Sequence, residues 1–246
     1  MRETVAAQLL RLNSEFYQTL AVPFSQTRAR LQPGIVRAVG GLRPEAAVLD
    51  LGCGPGSLAR ELARRGHTGR YFGVDASEPL LAEARRKSLP PNFAFSQADI
   101  TRPLWEESLG QPFDAVFAFA VLHHIPGLEL RARLARAVRR TLAPGGEVTL
   151  STWSFLGSDR LRSRIQPWEA IGLTREDVDP GDYLLDWRRG GTGLRYVHHF
   201  DQTELRNLAQ DAGFEVIESW RSDGEGGRLG LYQRWASVAD RNGRGP

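Results

Sequence analysis

The chain is poor in residues that cross-link, chelate or anchor. Across 246 residues it holds one cysteine, Cys53, and one methionine, Met1. A single thiol excludes an internal disulfide and leaves any metal site without its usual thiolates. No histidine pair has zinc-ligand spacing with a fourth partner, so no metal is expected. No apolar run reaches the about 18 residues that cross a bilayer. Met1-Arg2-Glu3 opens no secretory signal, and the expectation is a cytoplasmic protein. Lysine is almost missing: Lys87 stands alone among 32 basic residues, which against 29 acids leave a net charge of +3. Arginine forks suit phosphates. Arg131, Arg133, Arg136, Arg139 and Arg140 crowd one helix, and Arg160, Arg162 and Arg164 follow. A solvated helix face and a nucleic-acid contact are the two readings of such clusters.

Glycine is well placed. In Val48-Leu49-Asp50-Leu51-Gly52-Cys53-Gly54-Pro55-Gly56 an apolar strand runs into three alternate glycines, and a helix starts at Ser57. Such glycines let a ligand lie against main chain, and the helix start offers unpaired N–H groups. The dinucleotide fingerprint is G-x-G-x-x-G, with its last glycine one place later. The G-x-G-x-G form with an acid two residues before it resembles the first motif of the class I S-adenosylmethionine-dependent methyltransferases. Cys53 reads as a small residue packed beneath the ligand.

Two further strand-end acids follow. Arg70-Tyr71-Phe72-Gly73-Val74 stops at Asp75, 23 residues after Gly52, near the distance at which a second strand's acid grips ribose hydroxyls. A third strand within Asn92 to Ile100 leads to Asp99. For each aspartate alone, a helix N-cap or turn is the alternative use. In the resembling family the acid at Asp99 meets the adenine amino group, and the next residue, Ile100, packs on the ring.

Length suits one α/β domain with a helical addition. Strand and helix alternate from Val48 to about Leu150, with helices expected over Ser57 to Gly66, Glu78 to Ser88 and Leu128 to Leu142. Phe113 to Phe119 reads as a buried fourth strand and Glu147 to Thr152 as the fifth, entered through Pro144-Gly145-Gly146. A helix from Asp201 to Ala212 precedes strands at Phe214 to Ile217 and Leu229 to Tyr232. Two helices, Thr4 to Leu20 and Gln26 to Val39, fill the first 44 residues. Between Trp153 and Phe200 periodicity fades while Trp168, Tyr183, Trp187, Tyr196, His198 and His199 accumulate; this aromatic content argues for an ordered recognition segment.

Five segments sharpen the resemblance: Phe24-Ser25-Gln26-Thr27-Arg28, Ala120-Val121-Leu122-His123-His124-Ile125, Leu142-Ala143-Pro144-Gly145-Gly146, Asp182-Tyr183-Leu184-Leu185-Asp186-Trp187 and Arg195-Tyr196-Val197-His198-His199-Phe200. Together they look like the tRNA wobble-uridine carboxymethyl methyltransferases, which esterify the carboxylate of 5-carboxymethyluridine. The chain departs from that pattern at Ala29 to Pro33, Asp186, Val197 and Asp223 to Gly227. The resemblance implies a Rossmann-like class I methyltransferase fold. That is an α/β, seven-stranded, mostly parallel sheet with helices on both faces, a helical lid at 1–44, and a domain at 45–246 whose insertion lies at about 153–200.

It also implies site residues. Asp50, Gly52, Cys53, Gly54, Gly56, Asp75, Ala76, Asp99, Ile100, Phe119 and Ala120 would hold S-adenosylmethionine, with Arg28 and Tyr17 reaching its carboxylate. Arg195, Tyr196, Trp187 and His198 would take the acceptor, and the pair His123 and His124 would wall the pocket, with His123 the candidate to move a proton. A carboxylate acceptor is ionised at neutral pH and needs a cation to hold it more than a base, which makes Arg195 the central candidate. tRNA is the partner implied, with the need for a helper subunit open. A small-molecule O- or N-methyltransferase and a non-catalytic S-adenosylmethionine-binding protein are the alternatives.

Overall fold

The computed structural model describes residues 1–21, 23, 30–188 and 190–238. Arg28 and the Phe24 to Thr27 segment lie outside the described residues, as does part of the second helix expected from the sequence. Helix α1 spans Glu3–Thr19 and α2 spans Pro33–Ala38. The central frame then alternates β1 (Val48–Leu51), α3 (Ser57–Arg64), β2 (Tyr71–Asp75), α4 (Glu78–Arg85), β3 (Phe93–Gln97), β4 (Phe113–Phe119), α5 (Leu128–Arg140) and β5 (Leu142–Trp153). After an insertion it closes with α7 (Gln202–Asp211), β9 (Phe214–Ser222) and β10 (Gly230–Ser237).

These strands form the expected seven-stranded sheet, ordered β3-β2-β1-β4-β5-β10-β9. The first five pair in parallel and β10 runs antiparallel to both of its neighbours. Leu49, Leu51, Val116, Val148 and Leu150 form its core with the apolar face of α5 and with Leu205, Leu208 and Ala209 of α7. Chain order reverses beside β1, which pairs β2 on one side and β4 on the other. In such sheets a crevice opens beyond the C-terminal strand ends at the reversal point. The frame thereby sets where a ligand can enter.

Strand β5 is longer than the sequence suggests. Phe113 pairs Leu142 and Ala115 pairs Glu147, so the intervening Ala143 to Gly146 bulge out of register, with Gly145 at φ +76. Proline and glycine here break the ladder locally without ending the strand.

The insertion is a second sheet. Strands β6 (Ile165–Gln166), β7 (Asp182–Trp187) and β8 (Gly193–His198) pair antiparallel, after the short helix α6 (Asp159–Arg162). One face packs Leu184 and Tyr196 against Val5 and Leu9 of α1 with Trp168, Leu173 and Val178. The other packs Leu185 and Val197 against Phe155 and Leu161. Burial on both faces erases the apolar-polar alternation by which strands are read. Helix α1 is pinned to this sheet by Asn13, whose side-chain amide donates to the Tyr196 carbonyl (3.1 Å) while its oxygen accepts the Tyr196 N–H (2.8 Å).

Candidate functional site

A cavity of about 700 Å³ sits over the C-terminal ends of β1, β2 and β4, with α1 as one wall. That volume suits a small-molecule ligand pair. Its floor is the glycine loop. Gly52, Gly54 and Gly56 all take left-handed backbone, at φ +63, +53 and +73. Each does a different job. A Cβ on Gly52 would strike Val121 Cγ2 at 2.5 Å, and one on Gly56 would press on Ala84 Cβ at 3.0 Å, where α3 meets α4. A Cβ on Gly54 would meet no protein atom within 4 Å. Gly54 lines the cavity, so its missing side chain leaves room for a ligand against main chain. Gly56 does not line the cavity; it lies where α3 packs on α4.

Three acids lie along this end. Asp50 is buried and accepts a hydrogen bond from Tyr71 O–H at 2.6 Å. Burial lifts its carboxyl to about 7, opposed by that bond and reinforced by Asp75 nearby. A buried carboxyl of this kind gains most from an approaching cation. Asp75 accepts from the Gly54 and Ser77 N–H groups, both at 2.8 Å, which aims it along the loop; burial raises its pKa as well. Asp99 closes a turn by accepting from the Thr101 N–H (2.9 Å) and hydroxyl (2.6 Å), while still lining the cavity with Ile100. Closing the turn therefore leaves Asp99 at the cavity surface. Cys53 lies under the loop with its thiol pKa raised by burial, and Ala76 borders the cavity.

Phe119 and Ala120 end β4 at the cavity. Ala120 takes φ +58, uncommon for a residue with a Cβ, and its N–H is anchored on Ser151 through the carbonyl (3.0 Å) and hydroxyl (3.1 Å). Strain of this kind persists where surroundings over-determine it. It turns the chain sharply toward Val121 and His124, both cavity residues.

The far end comes from the insertion. Arg195 is 4% exposed and its guanidinium lies 4.5 Å above the Trp153 ring and 5.4 Å from those of Trp187 and Phe16. Arg195, Trp153, Trp187, Arg160 and Arg164 all line the cavity. The cavity is therefore polarised, with carboxyls at the glycine loop and guanidiniums beneath the insertion. Tyr17 stands between the two ends and donates to His124 Nε2 at 2.8 Å. His124 Nδ1 faces the Tyr196 carbonyl at 3.1 Å and so carries the proton, which leaves Nε2 as the acceptor.

Besides Gly56, three expected site residues do not reach the cavity. His123 is fully buried and stacks on Trp153 at 5.4 Å; the neighbouring His124 takes the wall position instead. Tyr196 points into the α1 cluster and its hydroxyl donates to Asp182 at 2.7 Å. His198 lies between Asp182 (2.6 Å) and Glu204 (2.8 Å). Along β8 the side chains of Arg195 and Tyr196 leave opposite faces, so only one of the pair can line the cavity. Trp153, His124, Arg160 and Arg164, each visible in the sequence as part of an aromatic run, a histidine pair or an arginine cluster, also line the cavity. His124 had a signal in the His-His pair, but nothing local says which of two adjacent histidines turns inward.

The α5 arginines are engaged within the protein. Arg131 is 2% exposed and donates to the Ile125 carbonyl, Arg133 to the Thr101 carbonyl, Arg139 to Ser237 and Val238, and Arg140 pairs Glu106. Arg136 faces Glu129 on its own helix.

A family model described as Methyltransferase domain matches residues 24–219. The trans-aconitate 2-methyltransferase of Azoarcus sp. is 34% identical over 255 residues, covering 89% of this chain and 96% of that protein. The ubiquinone biosynthesis O-methyltransferase of Pseudomonas paraeruginosa is 38% identical over 173 residues, 69% of this chain and 64% of the relative. Matching ubiquinone relatives from Pseudomonas aeruginosa are spanned over 43% of their length. Among solved structures, the PH0226 protein of Pyrococcus horikoshii shares the fold at a TM-score of 0.66 and 20% identity, over 91% of this chain and 98% of that one. The magnesium protoporphyrin IX methyltransferase of Synechocystis, solved with bound S-adenosylhomocysteine, does so at 0.63 and 20%, over 93% and 99%. The chain belongs to the class I S-adenosylmethionine-dependent methyltransferases.

Proposed function

We propose that this methyltransferase esterifies a carboxylate of a small organic acid. The observation that carries the reading is Arg195, a guanidinium held among aromatic rings on the cavity wall beneath the insertion. Guanidinium and carboxylate match as two parallel forks, and arginine keeps its charge at any working pH. A carboxylate acceptor is already ionised at neutral pH. It needs orientation, and Arg195 supplies that. When bound, S-adenosylmethionine supplies an electrophilic methyl group on a sulfonium. Asp50 suits its ammonium and Asp75 its ribose hydroxyls; Asp99 and Ile100 suit the adenine edge and face, and the Gly54 opening admits the chain between them. Helix α1 acts as a lid, closing the cavity through Tyr17, and the exclusion of water favours in-line displacement.

A relative named for trans-aconitate, itself a carboxylate, supports the same acceptor chemistry. The wobble-uridine reading rests on five short segments, whereas the relatives that match at length are named for trans-aconitate and for ubiquinone biosynthesis. A hydroxyl acceptor is the second reading. His124 favours it, since it lines the cavity and its Nε2 already accepts a hydroxyl, that of Tyr17.

The test is methyl transfer from labelled cofactor to a panel of small acids, phenols and amines, with a total tRNA fraction alongside. A methyl ester releases its label as methanol in mild alkali, whereas ethers and amines retain it. Alkali-labile label in the acids, lost in Arg195→Ala, is the expected outcome. Alkali-stable label, or label in RNA alone, overturns it.

A further inference from the structure

We propose that the acceptor carries a second anionic group, bound by Arg160 and Arg164 while Arg195 holds the carboxylate that is methylated. This rests on the carboxylate reading and extends it to substrate class. The helical turn begun by α6 continues past Arg162, with Ser163 N–H bonded to the Asp159 carbonyl (3.0 Å) and Arg164 N–H to that of Leu161 (3.1 Å). Residues four apart on such a turn share a face. Arg160 and Arg164 lie four residues apart across this turn, and both line the cavity. Leu161, next to Arg160, packs with Phe155, Leu185 and Val197, with Trp153 against the same cluster. Trp153 is the ring beneath the Arg195 guanidinium, so the three arginines belong to one end of the cavity.

Their surroundings make the pair unusual. Arg162, between them, is spent on Asp159 and the Leu156 carbonyl. Among the described residues neither Arg160 nor Arg164 makes an ion pair. The acid of that end, Asp223, already accepts from the Gly34 N–H (2.8 Å) and the Tyr232 hydroxyl. Two like charges one turn apart repel, and a third on the wall adds to the field. A bound anion removes that repulsion and receives charge-assisted hydrogen bonds from forks that do not titrate. A monoacid would satisfy Arg195 alone. A diacid, a triacid or a phosphorylated acid satisfies both positions, and these share the required chemistry.

The experiment measures kcat and KM for chain-matched four- to six-carbon acids: monocarboxylates, dicarboxylates, tricarboxylates, and monocarboxylates bearing a phosphomonoester. It uses the full chain, and Arg160→Ala/Arg164→Ala beside Arg160→Lys/Arg164→Lys. The expected result is a preference of the unaltered protein for acids with two or more anionic groups. The alanine pair should raise KM for those acids about tenfold or more, with a much smaller change for monoacids and a smaller effect on kcat. The lysine pair should restore part of the loss. Cofactor affinity by calorimetry reports that the variants are folded. The rank of phosphorylated acids against diacids identifies the second group. Methylation of monoacids as efficient as that of diacids overturns this proposal and leaves the carboxylate reading standing, as does an equal loss on both classes in the alanine pair. Methylation of no acid at all overturns both.

Discussion

The Tyr17 hydroxyl donates to His124 Nε2 across 2.8 Å, tying α1 to the turn that follows β4. The same helix end meets the loop after β2, where the Ser77 hydroxyl donates to the Tyr17 carbonyl (3.1 Å) and the Gln18 amide to that of Ala76 (3.3 Å). One helix thus touches both the loop read as ribose-binding and the wall read as acceptor-binding. Tyr17→Phe keeps the ring and deletes the donor. It should lower kcat/KM by about two- to tenfold, the worth of one hydrogen bond of this kind. Combined with His124→Gln, the losses should fall short of additive in a steady-state double-mutant cycle. Full additivity would show that the two act independently.

Asp50 gives a pH signature. Its carboxyl is lifted to about 7 by burial. Only the ionised form attracts a cation, so cofactor affinity should weaken as pH falls through about 7 and level off above it. Isothermal titration between pH 6 and 8.5 checks this. Asp50→Asn should bind weakly throughout and lose the pH dependence, while an Asp50→Asn variant with the original profile would assign the titration elsewhere.

Gly54 and Gly56 should fail in different ways. Both are left-handed, which costs a residue with a Cβ roughly 1–2 kcal/mol. At Gly56 an alanine Cβ also presses on Ala84 at 3.0 Å, so Gly56→Ala should lower the melting temperature more than Gly54→Ala does. At Gly54 the added methyl meets open space, and the larger effect there should be on cofactor Kd. Thermal melts with and without S-adenosylhomocysteine separate the two.

His198 makes stability depend on pH. Burial alone would lower its pKa, but hydrogen bonds to Asp182 and Glu204 outweigh that and raise it above the ordinary 6.5. A raised histidine contributes stability that is full below its unfolded pKa and is lost as pH rises through the folded value. The unaltered protein should therefore lose more stability than His198→Asn from about pH 6.5 upward, measured as the difference in denaturant midpoint. Parallel curves would remove His198 as the cause.

Local constraint explains what could be read without coordinates. A strand that runs into alternate glycines marks a tight loop, and glycine is the residue that can take the positive φ seen at Gly52, Gly54 and Gly56. Asp75 could be placed by its distance from that loop, and β4 by its unbroken apolar run. The sequence by itself determined the alternating strands and helices of the parallel frame and the glycine loop at the end of β1, because these depend on short-range geometry and on hydrophobic period. Tertiary packing decided the end of the cavity that lies beneath the insertion. Strands β7 and β8 are buried on both faces, which conceals their period. One step along β8 separates Arg195 on the cavity wall from Tyr196 in the core, and one step after β4 separates His123 from His124. Along β8 side-chain direction alternates from residue to residue, in the helical turn after β4 it rotates with each residue, and in both cases only the covering surfaces choose which of two neighbours meets a ligand.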